Sequence, residues 1–425
     1  MNVSQVNVNV DWLRRRTNKL CKVKTDNNLQ YLKRDGKLCG LISVDMNPRA
    51  LLLLSCHIVL FVSGQNQVCY DVIGCFQTGE PWSSLLRPVP EPQGPDVVNV
   101  FFVLYTRNNP VDPFYIVGDT TWSVDGSYYD SQKETIVYIH GYQGQTNETE
   151  DRPLVDAFLR SGDVNIILVD YGSIREQGYL HAVSNIRVVA ALTARFLNYL
   201  IQERNASASN FHVVGFSLGA HVAGYVGKRI SGIRRITGLD AAQPLFEGQS
   251  KELRLDKGDA DLVDIGHTNG SPTVPLVGLG FVAPIGDVDF YFNGGWDQPG
   301  CTKNVLGLVL NGSLNVLNVW PLRFVCPHER ALTYFIEAMG NENCTFWGIK
   351  EGALNSGLRV LSGGWLSPIL TSLENCNLES CLPFGKRTFD FPARGVFQIA
   401  TSTKPSYCLN SRPIDRLMQG QLNAS

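Results

Sequence analysis

No CxxC pair occurs among the eleven cysteines, so the chain lacks the paired thiolates of a structural zinc site. It has no internal repeat and no low-complexity tract, which excludes repeat and fibrous architectures. Charged residues make up only 18% of the chain and apolar residues 44%, a balance that excludes wholesale disorder. Positive charge is scarce where it would matter for nucleic acid. Residues 1–45 carry nine Lys and Arg against four Asp, and Arg49 adds one more. With a total of −2, the chain from residue 65 onward sums to about −8, which argues against a nucleic-acid partner. Long apolar runs are lacking too: residues 50–62 form a run of 13, too short to span a bilayer.

That short run belongs to "MNPRALLLLSCHIVLFVSG", residues 46–64: a methionine, one positive charge, an apolar core, then the small residues Ser63 and Gly64. It reads as a secretory signal peptide rather than a transmembrane span. The 45 residues before it are then expected to be a gene-model extension or disordered. The expected body covers 65–410, and 411–425 form a short polar tail. Cysteine usage agrees with export to an extracellular location. Three cysteines precede residue 65, and the remaining eight are an even set, expected to make four disulfides. Sequons at Asn147, Asn205, Asn269, Asn311, Asn343 and Asn423 suggest a glycosylated surface.

At 425 residues the chain can bury a large core. Past the Pro-rich run 86–95, strand-like runs (98–106, 134–141, 164–172, 211–216, 233–240) alternate with helix-like stretches, "RPLVDAFLRSG" and "NIRVVAALTARFLNYLIQER". This alternation predicts an α/β fold with a mostly parallel sheet covered on both faces, and chemistry at the carboxyl ends of the strands. Gly215-Phe216-Ser217-Leu218-Gly219 sits where a strand passes into a helix, the context a nucleophile elbow requires. Glycines flanking the serine remove collisions in a sharp, strained turn. A base and an acid should follow Ser217 in the order acid, then histidine. Asp240 ends the strand-like "RRITGLD", and His267 and His328 both lie far enough downstream. A loop tethered by Cys326 favours His328. His221, one turn past the serine, and His140 in "IHGYQG" read as packing and orienting residues. The backbone N–H groups of Tyr142 and Leu218 are the expected oxyanion donors.

VCYDVIGCF, HGY, GFSLGAHVAG, ITGLDAAQP, RLDKGDADLVD, HTNGSP, DFYFNGG, PGC and VCPHERA resemble, in order and spacing, the pancreatic lipase family. The resemblance runs from about residue 69 to 408. It implies an α/β-hydrolase fold with Ser217 as nucleophile, Asp240 as acid and His328 as base. It implies a calcium loop at 251–259, with Lys251 and Arg254 offering carbonyls and Asp256 and Asp259 carboxylates, a set suited to Ca²⁺ as a structural ion; the chemistry itself needs no cofactor. It implies disulfides Cys69–Cys75 and Cys301–Cys326. Spacing like that of venom phospholipases adds Cys376–Cys381 and Cys344–Cys408. Vertebrate digestive members carry a C-terminal β-sandwich that binds a protein cofactor; the chain ends before such a domain, so no colipase-type partner is expected. Two loops correlate with substrate in the family, and both are long here: 302–325, with only Lys303 and Arg323 charged, and 267–289. That combination points to a triacylglycerol lipase acting at a lipid–water interface under an apolar lid. A phospholipase A1-type hydrolase and a non-catalytic yolk-type binding protein are the alternatives.

Overall fold

Runs of Val and Ile between residues 100 and 270 become the middle of an eleven-stranded sheet. The structure, a computed structural model, describes residues 9–15, 18–25, 28–33, 66–118, 122–147, 149–270, 272–273, 276–301, 316–353 and 376–409. The expected signal segment, most of the lid 302–325 with Asn311, and the tail with Asn423 lie outside the described residues.

The chain divides into two compact units, Met1–Gln65 and Asn66–Ser425. In the first, where an extension or disorder is the expectation from sequence, Asn9–Arg15, Asn18–Thr25 and Asn28–Lys33 form an antiparallel sheet. Its register sets Trp12 opposite Cys21 and Cys21 opposite Leu32.

In the second unit the sheet runs from edge to edge as Cys381–Phe384, Phe346–Lys350, Gly395–Ile399, Val288–Phe292, Leu262–His267, Arg235–Leu239, Phe211–Phe216, Thr135–Ile139, Asn165–Asp170, Phe101–Tyr105 and Phe114–Ile116. From Gly395–Ile399 to Asn165–Asp170 every neighbouring pair is parallel. Two antiparallel strands close each edge. Parallel strands buried on both faces read as near-continuous apolar runs; residues 136–139 and 166–169 are such runs, and Thr135–Ile139 and Asn165–Asp170 are buried throughout. Alternate residues feed opposite cores. Val137 and Val213 pack with the helices Tyr179–Arg204 and Leu218–Gly227, while Tyr138 and Val214 pack toward Arg152–Ser161 and Val316–Gly340.

Within the middle strands a buried polar cluster is hydrogen-bonded. Arg235 bonds both carboxylate oxygens of Asp264, at 2.7 and 2.8 Å, and the Gly385 carbonyl at 2.8 Å. Thr237 joins Asp264 to His212. Disulfides link Cys69–Cys75, Cys301–Cys326, Cys344–Cys408 and Cys376–Cys381. No helix among the described residues is long and apolar enough to cross a membrane.

Candidate active site

The strand Phe211–Phe216 ends in a turn whose central residue, Ser217, has φ 54° and ψ −118°, a conformation that costs a non-glycine residue about 1–3 kcal/mol. Its neighbours make the turn possible. A Cβ on Gly215 would lie 2.2 Å from the Gly219 carbonyl oxygen, and one on Gly219 would lie 2.3 Å from that of Ile139. Neither position has room for any side chain. The turn is also stitched to the next strand. Ser217 N–H donates to the Leu239 carbonyl at 2.9 Å, and Ala242 N–H donates to the Ser217 carbonyl at 3.1 Å.

That next strand, Arg235–Leu239, delivers Asp240 with φ 44° and no solvent exposure. Its carboxylate is completely engaged. One oxygen accepts from the N–H groups of Thr268 (2.7 Å) and Asn269 (3.0 Å), and the other accepts from His328 Nδ1 at 2.5 Å. Gly280 closes the far side: a Cβ there would sit 2.2 Å from an Asp240 oxygen. The His328 ring in turn lies 4.8 Å, centroid to centroid, from that of Phe216, the residue before the serine.

The structure thus brings Ser217, Asp240 and His328 to one end of the sheet. His328 differs from expectation in its support. It lies within the helix Val316–Gly340, not on a loop before one. Pro327 removes one helix hydrogen bond there, and the Cys301–Cys326 disulfide fixes the residue beside it. His267 is excluded as a base by its surroundings. It is fully buried, with Nε2 on Asp289 at 2.9 Å and Nδ1 on the Phe281 carbonyl at 3.0 Å. Burial alone would lower its pKa, but the bond and charge of Asp289 outweigh burial and raise it.

The turn after Thr135–Ile139 approaches the serine closely: a Cβ on Gly141 would be 2.9 Å from Ser217 Cβ. Tyr142 is the next residue, its hydroxyl donating to the Gln177 carbonyl at 3.1 Å. Leu218 opens the helix Leu218–Gly227, so its N–H belongs to the first turn, which has no carbonyl partner within the helix. His140 stacks on Tyr171 at 4.0 Å, and burial lowers its pKa. It supports the turn and does not reach the serine hydroxyl.

The expected calcium loop is neutralised from within. Lys228 Nζ donates to the Arg254 carbonyl at 2.9 Å and to Asp259 Oδ2 at 2.5 Å. Arg254 Nη1 holds Asp256 Oδ1 at 2.7 Å, and the exposed Lys251 opens the 3-10 turn Lys251–Leu253. The oxygens have the right chemistry for calcium, yet three of them already carry the chain's own cations. As arranged, the set does not fit the ion. Among the described residues no group of three or more His, Cys, Asp or Glu side chains is placed to hold a metal.

Some features of the site carry no sequence signal. Thr268, Asn269 and Gly280 surround the Asp240 carboxylate, and Asn269 reads from sequence as a glycosylation site. It is instead 3% exposed, its side chain accepting from Leu279 N–H and donating to the Trp296 carbonyl. A glycan has no place there. Lys228, inside a helix-to-loop junction, carries no sequence signal of its role.

A family model described as Lipase matches residues 66–353. Pancreatic triacylglycerol lipase of Myocastor coypus is 36% identical over 282 residues, covering 65% of this chain and 61% of that protein. The human protein of that name is 37% identical over 297 residues, covering 68% and 63%. Inactive pancreatic lipase-related protein 1 of Mus musculus is 37% identical over 298 residues, covering 68% and 62%. The chain spans about three fifths of the length of these curated relatives.

Proposed function

This chain belongs to the lipase family, and on that premise we propose that it hydrolyses carboxylic esters of acylglycerols through a covalent acyl-enzyme. One observation carries the reading: the 2.5 Å bond between Asp240 and His328 beside the strained serine turn. Relatives of nearly equal identity include one called a lipase and one called inactive, so membership alone does not decide activity. The residue geometry is what favours the enzyme.

With Nδ1–H donated to Asp240, the His328 Nε2 lone pair is the base. Ser217 Oγ attacks the ester carbonyl as His328 takes its proton. The N–H groups of Tyr142 and Leu218 receive the negative charge that develops on oxygen. Collapse of the tetrahedral intermediate expels the alcohol, which takes the proton from His328. Water, deprotonated by the same imidazole, then attacks the acyl-enzyme; the bond to Ser217 Oγ breaks, Ser217 takes the proton back from His328, and the fatty acid leaves. Asp240, held by the N–H groups of Thr268 and Asn269, orients the imidazole and stabilises the imidazolium by its charge.

Triacylglycerol is the proposed substrate, on the length and apolarity of the segments 302–325 and 267–289. The test is a rate comparison on emulsified triolein and on phosphatidylcholine vesicles. Faster release of fatty acid from triolein is expected; the reverse order would move the reading to a phospholipase. Four disulfides support secretion, with residues 46–64 as the proposed signal. Because Lys228 and Arg254 occupy the loop oxygens, the melting temperature should agree within about 1 °C in excess calcium and in excess chelator. A rise of several degrees with calcium would mean that the ion displaces the ammonium.

A further inference from the structure

Residues 81–90, PWSSLLRPVP, hold a tight turn that its sequence does not explain. Ser84 N–H donates to the Arg87 carbonyl at 2.9 Å, and Arg87 N–H returns the bond to Ser84 at 3.1 Å. The two residues at the tip are Leu85, 95% exposed, and Leu86, 91% exposed. Such tips ordinarily carry Gly, Asn, Asp or Ser, whose backbone freedom or side-chain hydrogen bonds favour the turn. Neither leucine has a positive φ, so the backbone makes no special demand that leucine would meet. Two large apolar side chains are held in water with no packing to reward them.

The turn is rigid. Arg87 is 4% exposed, and its Nε donates to the Leu245 carbonyl at 2.9 Å while Nη1 bonds the Trp82 carbonyl. Its guanidinium lies 5.7 Å from the centre of the Phe246 ring. Leu245 and Phe246 belong to the segment that leaves Asp240. Phe246 stacks on His221 at 3.8 Å, His221 bonds the Ala242 carbonyl, and Ala242 N–H holds the Ser217 carbonyl. The leucine tip is therefore braced on the same rim of the sheet as the serine turn.

We propose that Leu85 and Leu86 enter a lipid surface and hold this rim against it, a role that rests on the lipolytic reading above. A lipid surface suits the tip better than a protein partner. A stable protein interface needs about 800 Å² from each side, far more than two side chains on a narrow turn supply, whereas a lipid surface accepts apolar side chains singly. The only charge in 81–90 is Arg87, and it points inward. No carboxylate on the turn opposes approach to lipid.

The test is flotation with vesicles of phosphatidylcholine containing triolein, comparing S217A with S217A/L85S/L86S so that turnover does not alter the surface. The leucine form should partition at least about tenfold more strongly. The substitutions are at exposed sites, so both proteins should melt within about 1 °C of each other. In a second variant, Leu85→Trp, the added emission should shift to the blue when vesicles are added. Equal partitioning of the two S217A forms, or a Leu85→Trp spectrum unmoved by vesicles, overturns the proposal. Failure of the lipolytic reading looks different: unmodified protein would cleave neither triolein nor a soluble butyrate ester, whatever the flotation result.

Discussion

Replacing Ser217 with alanine is expected to lower kcat/KM on a soluble butyrate ester by about 10⁴–10⁶, the scale set by removing the nucleophile of a serine triad. The loss should be nearly as large on emulsified triolein, because attack at the carbonyl is common to both. Alanine tolerates the serine's backbone about as well as serine does, and the Ser217 side chain caps no helix bond. The melting temperature should therefore stay within about 2 °C. Any residual rate reflects an oxyanion pocket and a positioned water, with no nucleophile to trap the acyl group. A covalent serine-esterase probe should label the unmodified protein and leave the variant unlabelled. An alanine protein that released fatty acid at the unmodified rate would remove Ser217 from the mechanism.

The second large effect is on stability in mild acid. Three buried histidines carry depressed pKa values. Burial pushes His221 down to about 3, and it pushes His140 and His212 down as well. In the unfolded chain each takes up a proton near pH 6.5. Below that pH the unfolded state binds more protons than the folded one, so stability falls as pH falls. His267 does not contribute to this slope. Its raised pKa keeps it protonated in both states below pH 6.5, and its stabilisation is lost only as pH rises through its folded value. Asp151, raised to about 6 by burial, opposes the trend with roughly one proton. Asp259, also raised by burial, opposes it too, so the net is at most about two protons, or no more than about 3 kcal/mol per pH unit between pH 6 and 4. Urea unfolding midpoints measured from pH 8 down to 4.5 should be nearly level at the top and fall steeply below 6.5. His221→Gln should flatten the descent. A midpoint that held level from pH 7 to 5 would contradict the neutral state of these histidines.

The amino-acid pattern anticipates four parallel strands and the antiparallel Phe101–Tyr105 beside them, and little of the opposite side of the sheet. Phe211–Phe216 coincides with its apolar run, and four other runs differ from their strands by one to three residues at each end. Those strands are buried on both faces, so every side chain carries the signal. Phe346–Lys350, Cys381–Phe384 and Gly395–Ile399 are four or five residues each and are interrupted by Gly, Pro, Lys or Gln, so no continuous apolar run marks them. The long helix begins at Tyr179, six residues before its regular pattern, because Gly178 and the buried contacts of Ala182 and Val183 set its start. The positions of Ser217, Asp240 and His328 are legible because each sits at a strand end or beside a cysteine. The cradle around Asp240 is not, since backbone N–H groups and a missing Cβ leave no mark in a residue pattern. Lys228 is invisible for a related reason: its partner atoms include a main-chain carbonyl, which any residue could provide.

The bonds that join Ser217 to Leu239 and Ala242 have a dynamic consequence. The proposed nucleophile and acid lie on one hydrogen-bonded lattice in the middle of the sheet, so their amide protons should exchange with solvent only when the whole domain opens. His328 is attached differently, through a single side-chain bond and a helix anchored by a disulfide. The site divides into a fixed pair and a detachable base. Anything that lifts that helix, whether heat, denaturant or a partner, would silence the serine while leaving its strained turn untouched.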